Sequence, residues 1–214
     1  FEKKNLSVLG FYPSKRHLID FILFFCIAAA SCSLGFLMKI YFSGQVWQLN
    51  PALSASLILN GIWWNVKSVL FEELIFRGAL LYILVKRLGS LRAIIISAIA
   101  FGIYHWFSFG VFGNVVPMIV TFLMTATMGL LLAYGYSKTF SLYIPIAIHL
   151  GWNLAQTFIF SQGPIGNGVL VATSEKPFRT DSYFVFFLVT FLPILLVLSI
   201  SFLLLKNKPQ PQLV

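Results

Sequence analysis

The sequence predicts an all-α, polytopic transmembrane bundle of about six spans plus one interfacial helix, and three observations predict it. The chain of 214 residues is 59% hydrophobic and 10% charged, with a mean hydropathy of +0.90, far above the range of soluble domains. Its apolar residues come in runs of roughly 20, the length a helix needs to cross a bilayer. Its basic residues cluster at the ends of those runs, where they set topology and meet anionic lipid. The net charge of +9 therefore points to a lipid bilayer as partner and not to nucleic acid. So little polar sequence separates the runs that residues 1–214 read as one membrane-embedded domain.

The elements follow in order. Lys3, Lys4, Lys15 and Arg16 form a cytoplasmic flank, with His17 beside them and no partner suggested for it. Span one covers about Leu18–Phe42, enough at about 1.5 Å per residue to cross with some tilt. Cys26 and Cys32 fall in it without a His or Cys at ligand spacing, and read as packing residues. The chain starts at Phe1 without an initiator methionine, which leaves room for an upstream piece. The length of the first run makes it a span and not a cleavable signal peptide.

Gly44–Pro51 is a turn, with Pro51 suited to the first position of the next helix. From Ala52 to Lys86 the helical pattern exceeds one crossing. Trp63, Trp64, Asn65 and Lys67 favour the headgroup level, so 52–66 is expected to be the interfacial piece and about Lys67–Val85 the second span. Lys86, Arg87 and Arg92 flank a turn at Gly89–Ser90. Span three, about 91–109, carries Ala98 and Gly102 at helical spacing, which lets a neighbour approach closely. After a loop at Gly110–Pro117, span four covers about Val116–Tyr136, and Lys138 marks the next loop.

Span five, about 141–161, contains Pro145, expected to need local satisfaction of the freed carbonyl and to kink the helix beside a cavity. The polar stretch Ser161–Ser182 leads to span six, about Tyr183–Leu205, then to Lys206, Lys208 and a Pro/Gln tail expected to fray. Six spans put every basic cluster on one side, whereas a further span over 52–66 would export the Lys86–Arg92 loop.

Ionisable residues inside such runs need a reason, because charge is costly in lipid. Phe71–Leu80 holds Glu72, Glu73 and Arg77. At about 100° per residue Glu73 and Arg77 share a face and can pair, while Glu72 points roughly 140° away from Arg77. Glu73–Arg77 is then a supporting ion pair, and Glu72 is a carboxylate that its own helix leaves unpartnered. Such a group finds donors on other helices or holds a proton, and either state suits acid–base chemistry. A packing network of all three residues fits the segment equally well.

His105 and His149 also fall within spans. A lone membrane histidine usually serves as an interhelical hydrogen-bonder, but two of them beside an unpaired glutamate shift the balance. Phe101, four residues before His105, can pack against the imidazole and fix its rotamer. His149 and Asn153, four apart, reach one face, where imidazole and carboxamide could both donate to a developing oxyanion. Together Glu72, His105, His149 and Asn153 offer a base and donors from three helices, the set that amide hydrolysis in a buried pocket requires.

In that order, Glu72-Glu73-x-x-x-Arg77, Phe101-x-x-x-His105 and His149-x-x-x-Asn153 resemble the three motifs of the CPBP family of intramembrane endopeptidases. That family, also called Abi, includes CAAX prenyl endopeptidases and proteins tied to bacteriocin maturation and self-immunity. The resemblance covers roughly residues 65–160. It implies a protease acting on a membrane-associated or prenylated, CAAX-like peptide or protein. In it Glu72 activates water with help from His105, His149 and Asn153 hold the oxyanion, and Glu73 with Arg77 supports the site.

The family is often described as metalloproteases. Glu72, His105 and His149 match a zinc ligand set in number and type but lack a compact His-Glu-x-x-His motif. A divalent metal and a metal-free glutamate base both stay open, the second being preferred. Composition and the lack of organellar signals fit a multi-pass protein of a prokaryotic plasma membrane. Two other readings use the same polar core: a non-catalytic immunity or scaffold protein, and a small transporter, which has no need of the His149–Asn153 pair. Counting from the basic ends sets Glu72 and His105 further out than His149, an offset the fold has to close.

Overall fold

The computed structural model describes residues 10–11, 13–173 and 178–208. The expected fraying of the Pro/Gln tail and the flank lysines Lys3 and Lys4 lie outside them. Helix α1 (Lys15–Ser43) starts where the Ser14 hydroxyl accepts the His17 N–H at 3.1 Å. It stops at Gly44, whose φ of +64° lets its N–H close the last turn on the Ile40 carbonyl. Helices α2 (Ala55–Arg77), α3 (Ala79–Leu88), α4 (Ser90–Ser108), α5 (Val115–Thr139), α6 (Tyr143–Asn153) and α7 (Tyr183–Lys206) follow, and a π-helical turn, Leu154–Ile159, continues α6. Two three-residue strands, β1 (Trp47–Leu49) and β2 (Leu170–Ala172), pair antiparallel with Trp47 opposite Ala172. The all-α bundle is as expected; the strand pair is not, since its halves lie over 120 residues apart in sequence.

Four of these helices, α1, α4, α5 and α7, are long and apolar enough to cross a membrane. The other two expected crossings are interrupted ones. The 67–85 segment breaks at Gly78, and the 141–161 segment passes into the π turn after Asn153. Irregular backbone of this kind is tolerated at membrane depth where it lines a cavity or is covered by protein. Each interrupted segment carries one of the polar motifs, and the third, Phe101–His105, sits on the unbroken α4.

The division of 52–86 therefore differs from the sequence reading. Residues 52–66 are not a separate interfacial piece, because α2 runs unbroken from Ala55, with Ser54 and not Pro51 at its start. It is packed along the α6 track: Gly61 lies against the Phe158 ring, and Asn65 is fully buried. The break comes at Gly78, where a β-carbon would stand 2.2 Å from the Leu74 carbonyl oxygen, so the close turn requires glycine. The short amphipathic helix is α3, which buries Leu81, Tyr82 and Val85 and exposes Lys86 and Arg87. The offset counted from the basic ends is closed, since Glu72 Oε2 comes within 3.9 Å of His149 Nε2.

The first and last described segments come close to the α3 and α5 ends. Lys208 Nζ sits 2.6 Å from both Asp20 carboxylate oxygens, the Ser141 hydroxyl bonds the Gly10 carbonyl, and the Tyr82 ring faces Phe140. The basic clusters at Lys15–Arg16, Lys86–Arg87, Lys138 and Lys206–Lys208 thus lie towards one end of the bundle, as the charge pattern required, while Lys39 and Arg179 belong to the opposite ends of α1 and α7. His17 does have a partner, since its ring stacks on Tyr143 at 4.9 Å. Pro145 causes no kink: it is the third residue of α6, where the N–H it lacks would have had no helical acceptor. Ala98 and Gly102 act as expected. Gly102 leaves room for Phe122 and Ala126 of α5, and Gly129 of α5 lies against the Ala98 backbone. Cys32 is buried with Phe36, Ala155 and Phe160, Cys26 is exposed, and both are free thiols.

Candidate active site

The last two turns of α2 deliver three ionisable groups into the bundle. Glu73 and Arg77 are both 0% exposed, and Arg77 Nη1 lies 3.0 Å from Glu73 Oε1. The other end of the guanidinium donates to the Gly129 carbonyl at 3.5 Å, and its carbon lies 4.1 Å from the centre of the Phe101 ring. A buried charge pair needs such additional partners to offset the water it has lost.

Glu73 has a second partner that the sequence did not reveal. His149 Nδ1 lies 2.6 Å from the same Oε1. A carboxylate oxygen accepts, so Nδ1 carries the proton and Nε2 is turned outward, 3.9 Å from Glu72 Oε2. His105 is oriented in the same way from another helix. Its Nδ1 donates to the Phe101 carbonyl at 2.8 Å, and its Nε2 lies 3.8 Å from that same Glu72 oxygen. Phe101 also packs its ring 4.4 Å from the His105 ring, as the four-residue spacing anticipated.

Among the described residues Glu72 is left as the one carboxylate with a buried oxygen facing both histidines. Its Oε1 accepts a long bond from the Ser68 hydroxyl at 3.5 Å, whereas Oε2 is buried and bonds no described residue. Separations of 3.8 and 3.9 Å are too long for direct hydrogen bonds and suit a water held between the three groups.

His105, His149 and Asn153 line one cavity of about 230 Å³, with Thr125, Trp152 and Gln156 also in its wall. Glu72 does not line it; it stands within 4 Å of the two imidazoles that do. Asn153 is the last residue of α6 before the π turn. A larger apolar groove of about 440 Å³ between α4, α5 and α7 contains none of the motif residues. The fold thus sets Glu72 beside His105 and His149, and His105, His149 and Asn153 around one cavity, with the Glu73–Arg77 pair behind His149. Sequence reasoning missed Ser68 and the Trp152 to Gln156 bond of 3.0 Å, although four-residue spacing could have found both. It could not have found the Glu73–His149 contact, which joins two helices.

The donor chemistry suits a cation, since two imidazole nitrogens and a carboxylate oxygen face one another. The spacing does not, because among the described residues no three His, Cys, Asp or Glu side chains are placed to hold one metal ion. Glu72, His105 and His149, the set anticipated from residue types, are the groups that would have to draw together to hold a zinc ion.

Residues 54–155 match the family model described as type II CAAX prenyl endopeptidase Rce1-like. The matched segment holds all three motifs, and the family resemblance read from them is shown over it. No curated protein and no solved structure matches the chain.

Proposed function

With residues 54–155 in the Rce1-like endopeptidase family, we propose that this membrane protein hydrolyses a peptide bond of a membrane-associated or prenylated, CAAX-like peptide or protein. The observation that carries the reading is the single buried Glu72 oxygen set 3.8 and 3.9 Å from two imidazole Nε2 atoms. A water there gives one proton to Glu72 Oε2 and points the other at His105 Nε2, which is a lone-pair acceptor because Nδ1 is committed to Phe101. The water oxygen then bonds to the substrate carbonyl carbon. The carbonyl oxygen becomes an oxyanion and accepts from the Asn153 carboxamide and His149 Nε2. The C–N bond breaks as the amine takes the proton from Glu72.

His149 Nε2 can donate only when its ring carries both protons. In that state two carboxylates, one guanidinium and one imidazolium sum to zero charge, a composition that a low-dielectric site tolerates. Glu73 and Arg77 serve as support. The scheme assigns no step to a metal. We take the chain to be a multi-pass protein of a prokaryotic plasma membrane, on its strongly apolar, phenylalanine-rich composition.

The test is cleavage of a prenylated fluorogenic reporter peptide by the purified full chain in liposomes. Wild type is expected to cleave it, and Glu72→Ala and His105→Ala to fold and not cleave. Intact cleavage in either variant contradicts the chemistry. A wild-type chain inert towards reporter peptides favours the non-catalytic immunity or scaffold reading.

A further inference from the structure

Asn65 has no role in the chemistry above, yet it is 0% exposed in a segment expected at the surface. Its carboxamide N–H donates to Gly61 O one turn back at 2.9 Å, which leaves its Oδ1 to accept the Thr157 hydroxyl at 2.9 Å. That hydroxyl also lies 2.8 Å from the backbone oxygen of Asn153. A hydroxyl has one proton, so Thr157 shares it between the fixed amide on α2 and the residue proposed to hold the oxyanion.

The placement follows a pattern. His149, Asn153 and Thr157 recur every four residues along α6 and the π turn, while Asn65 and Glu73 lie eight apart on α2. Glu73 meets His149 and Asn65 meets Thr157, also eight apart, so the two antiparallel helices are pinned at both ends of one stretch. Asn153 is midway between the pins. It is also the last residue before the backbone changes from α to π, where a helix would otherwise have slack.

We propose that Asn65 and Thr157 are positioning residues for Asn153. They hold the π turn so that its carboxamide faces the cavity at the distance the oxyanion requires. The proposal rests on the oxyanion role given to Asn153. A misplacement of about 1 Å in such a donor costs roughly a hundredfold in rate, so a hydrogen bond one turn away bears on turnover.

The test uses the full chain in liposomes with the same prenylated reporter. Thr157→Val and Asn65→Leu are expected to lower kcat roughly ten- to a hundredfold with KM within about twofold, and Thr157→Ser to restore it. In an Asn153→Ala background, Thr157→Val should bring no further fall. Wild-type kcat in Thr157→Val, or an equal fall in both backgrounds, overturns the proposal. Full activity in Asn153→Ala overturns the oxyanion reading and this proposal with it; loss there beside normal Thr157→Val removes the positioning role alone. Where one variant fails to fold, the other is read the same way. In the folded one the ¹⁵N resonance of the Asn153 carboxamide should move, and an unmoved resonance overturns the proposal without reference to turnover.

Discussion

Glu73 Oε1 lies 2.6 Å from His149 Nδ1, with Arg77 Nη1 3.0 Å away on the same oxygen. The ion pair that stabilises α2 thereby also sets the tautomer and direction of a ring on α6. Support and chemistry are joined in one oxygen atom, so substitutions of this pair have two separable consequences.

Removing the guanidinium strands a buried carboxylate. Arg77→Ala is expected to cost about 3–5 kcal/mol, seen as a lower melting temperature in detergent by tryptophan fluorescence. An unchanged melting temperature would contradict the buried pair.

Removing only the charge of Glu73 separates the second consequence. Glu73→Gln keeps the shape but no longer fixes the His149 proton. It is expected to lower kcat by up to roughly a hundredfold, with a smaller loss of stability than Arg77→Ala. Stability lost with kcat unchanged would leave Glu73 a purely structural residue.

Gly151 lies between His149 and Asn153, and α1 packs directly on it. A β-carbon there would stand 2.4 Å from the Phe25 carbonyl oxygen, a backbone atom that cannot swing aside. Gly151→Ala is expected to destabilise by about 1–3 kcal/mol, the usual cost of overpacking, and to lower activity by shifting α6. A variant as stable and active as wild type would show that α1 and α6 are less closely apposed.

The proposed base needs no metal. Activity on the reporter is expected to survive dialysis against a chelator, and elemental analysis to find no zinc near one per chain. Loss of activity that zinc restores would require the ligands to rearrange around an ion.

The features legible in the sequence were those that a single helix determines. Four-residue spacing gave the Glu73–Arg77 pair, the Phe101–His105 packing and the shared wall of His149 and Asn153. About 100° per residue separated Glu72 from Arg77. Small residues at Ala98 and Gly102 foretold the close α4–α5 contact. What stayed hidden depends on two segments at once. The Glu73–His149 and Asn65–Thr157 bonds span 76 and 92 residues. Tryptophans and Lys67 drew the 52–66 segment to the interface, while its buried face was set by Phe158 and Thr157 from far along the chain. Gly78 looked like one more small residue in a span, and only the clash with Leu74 O reveals it as the break.

The central claim is that Glu72 removes the proton from the attacking water, and comparison of wild type with Glu72→Gln measures it most directly. The substitution keeps the size and one acceptor oxygen but abolishes the base, for which a loss of roughly 10²–10⁴ in kcat is expected at unchanged melting temperature. A folded Glu72→Gln chain that cleaves the prenylated reporter at the wild-type rate would contradict the account.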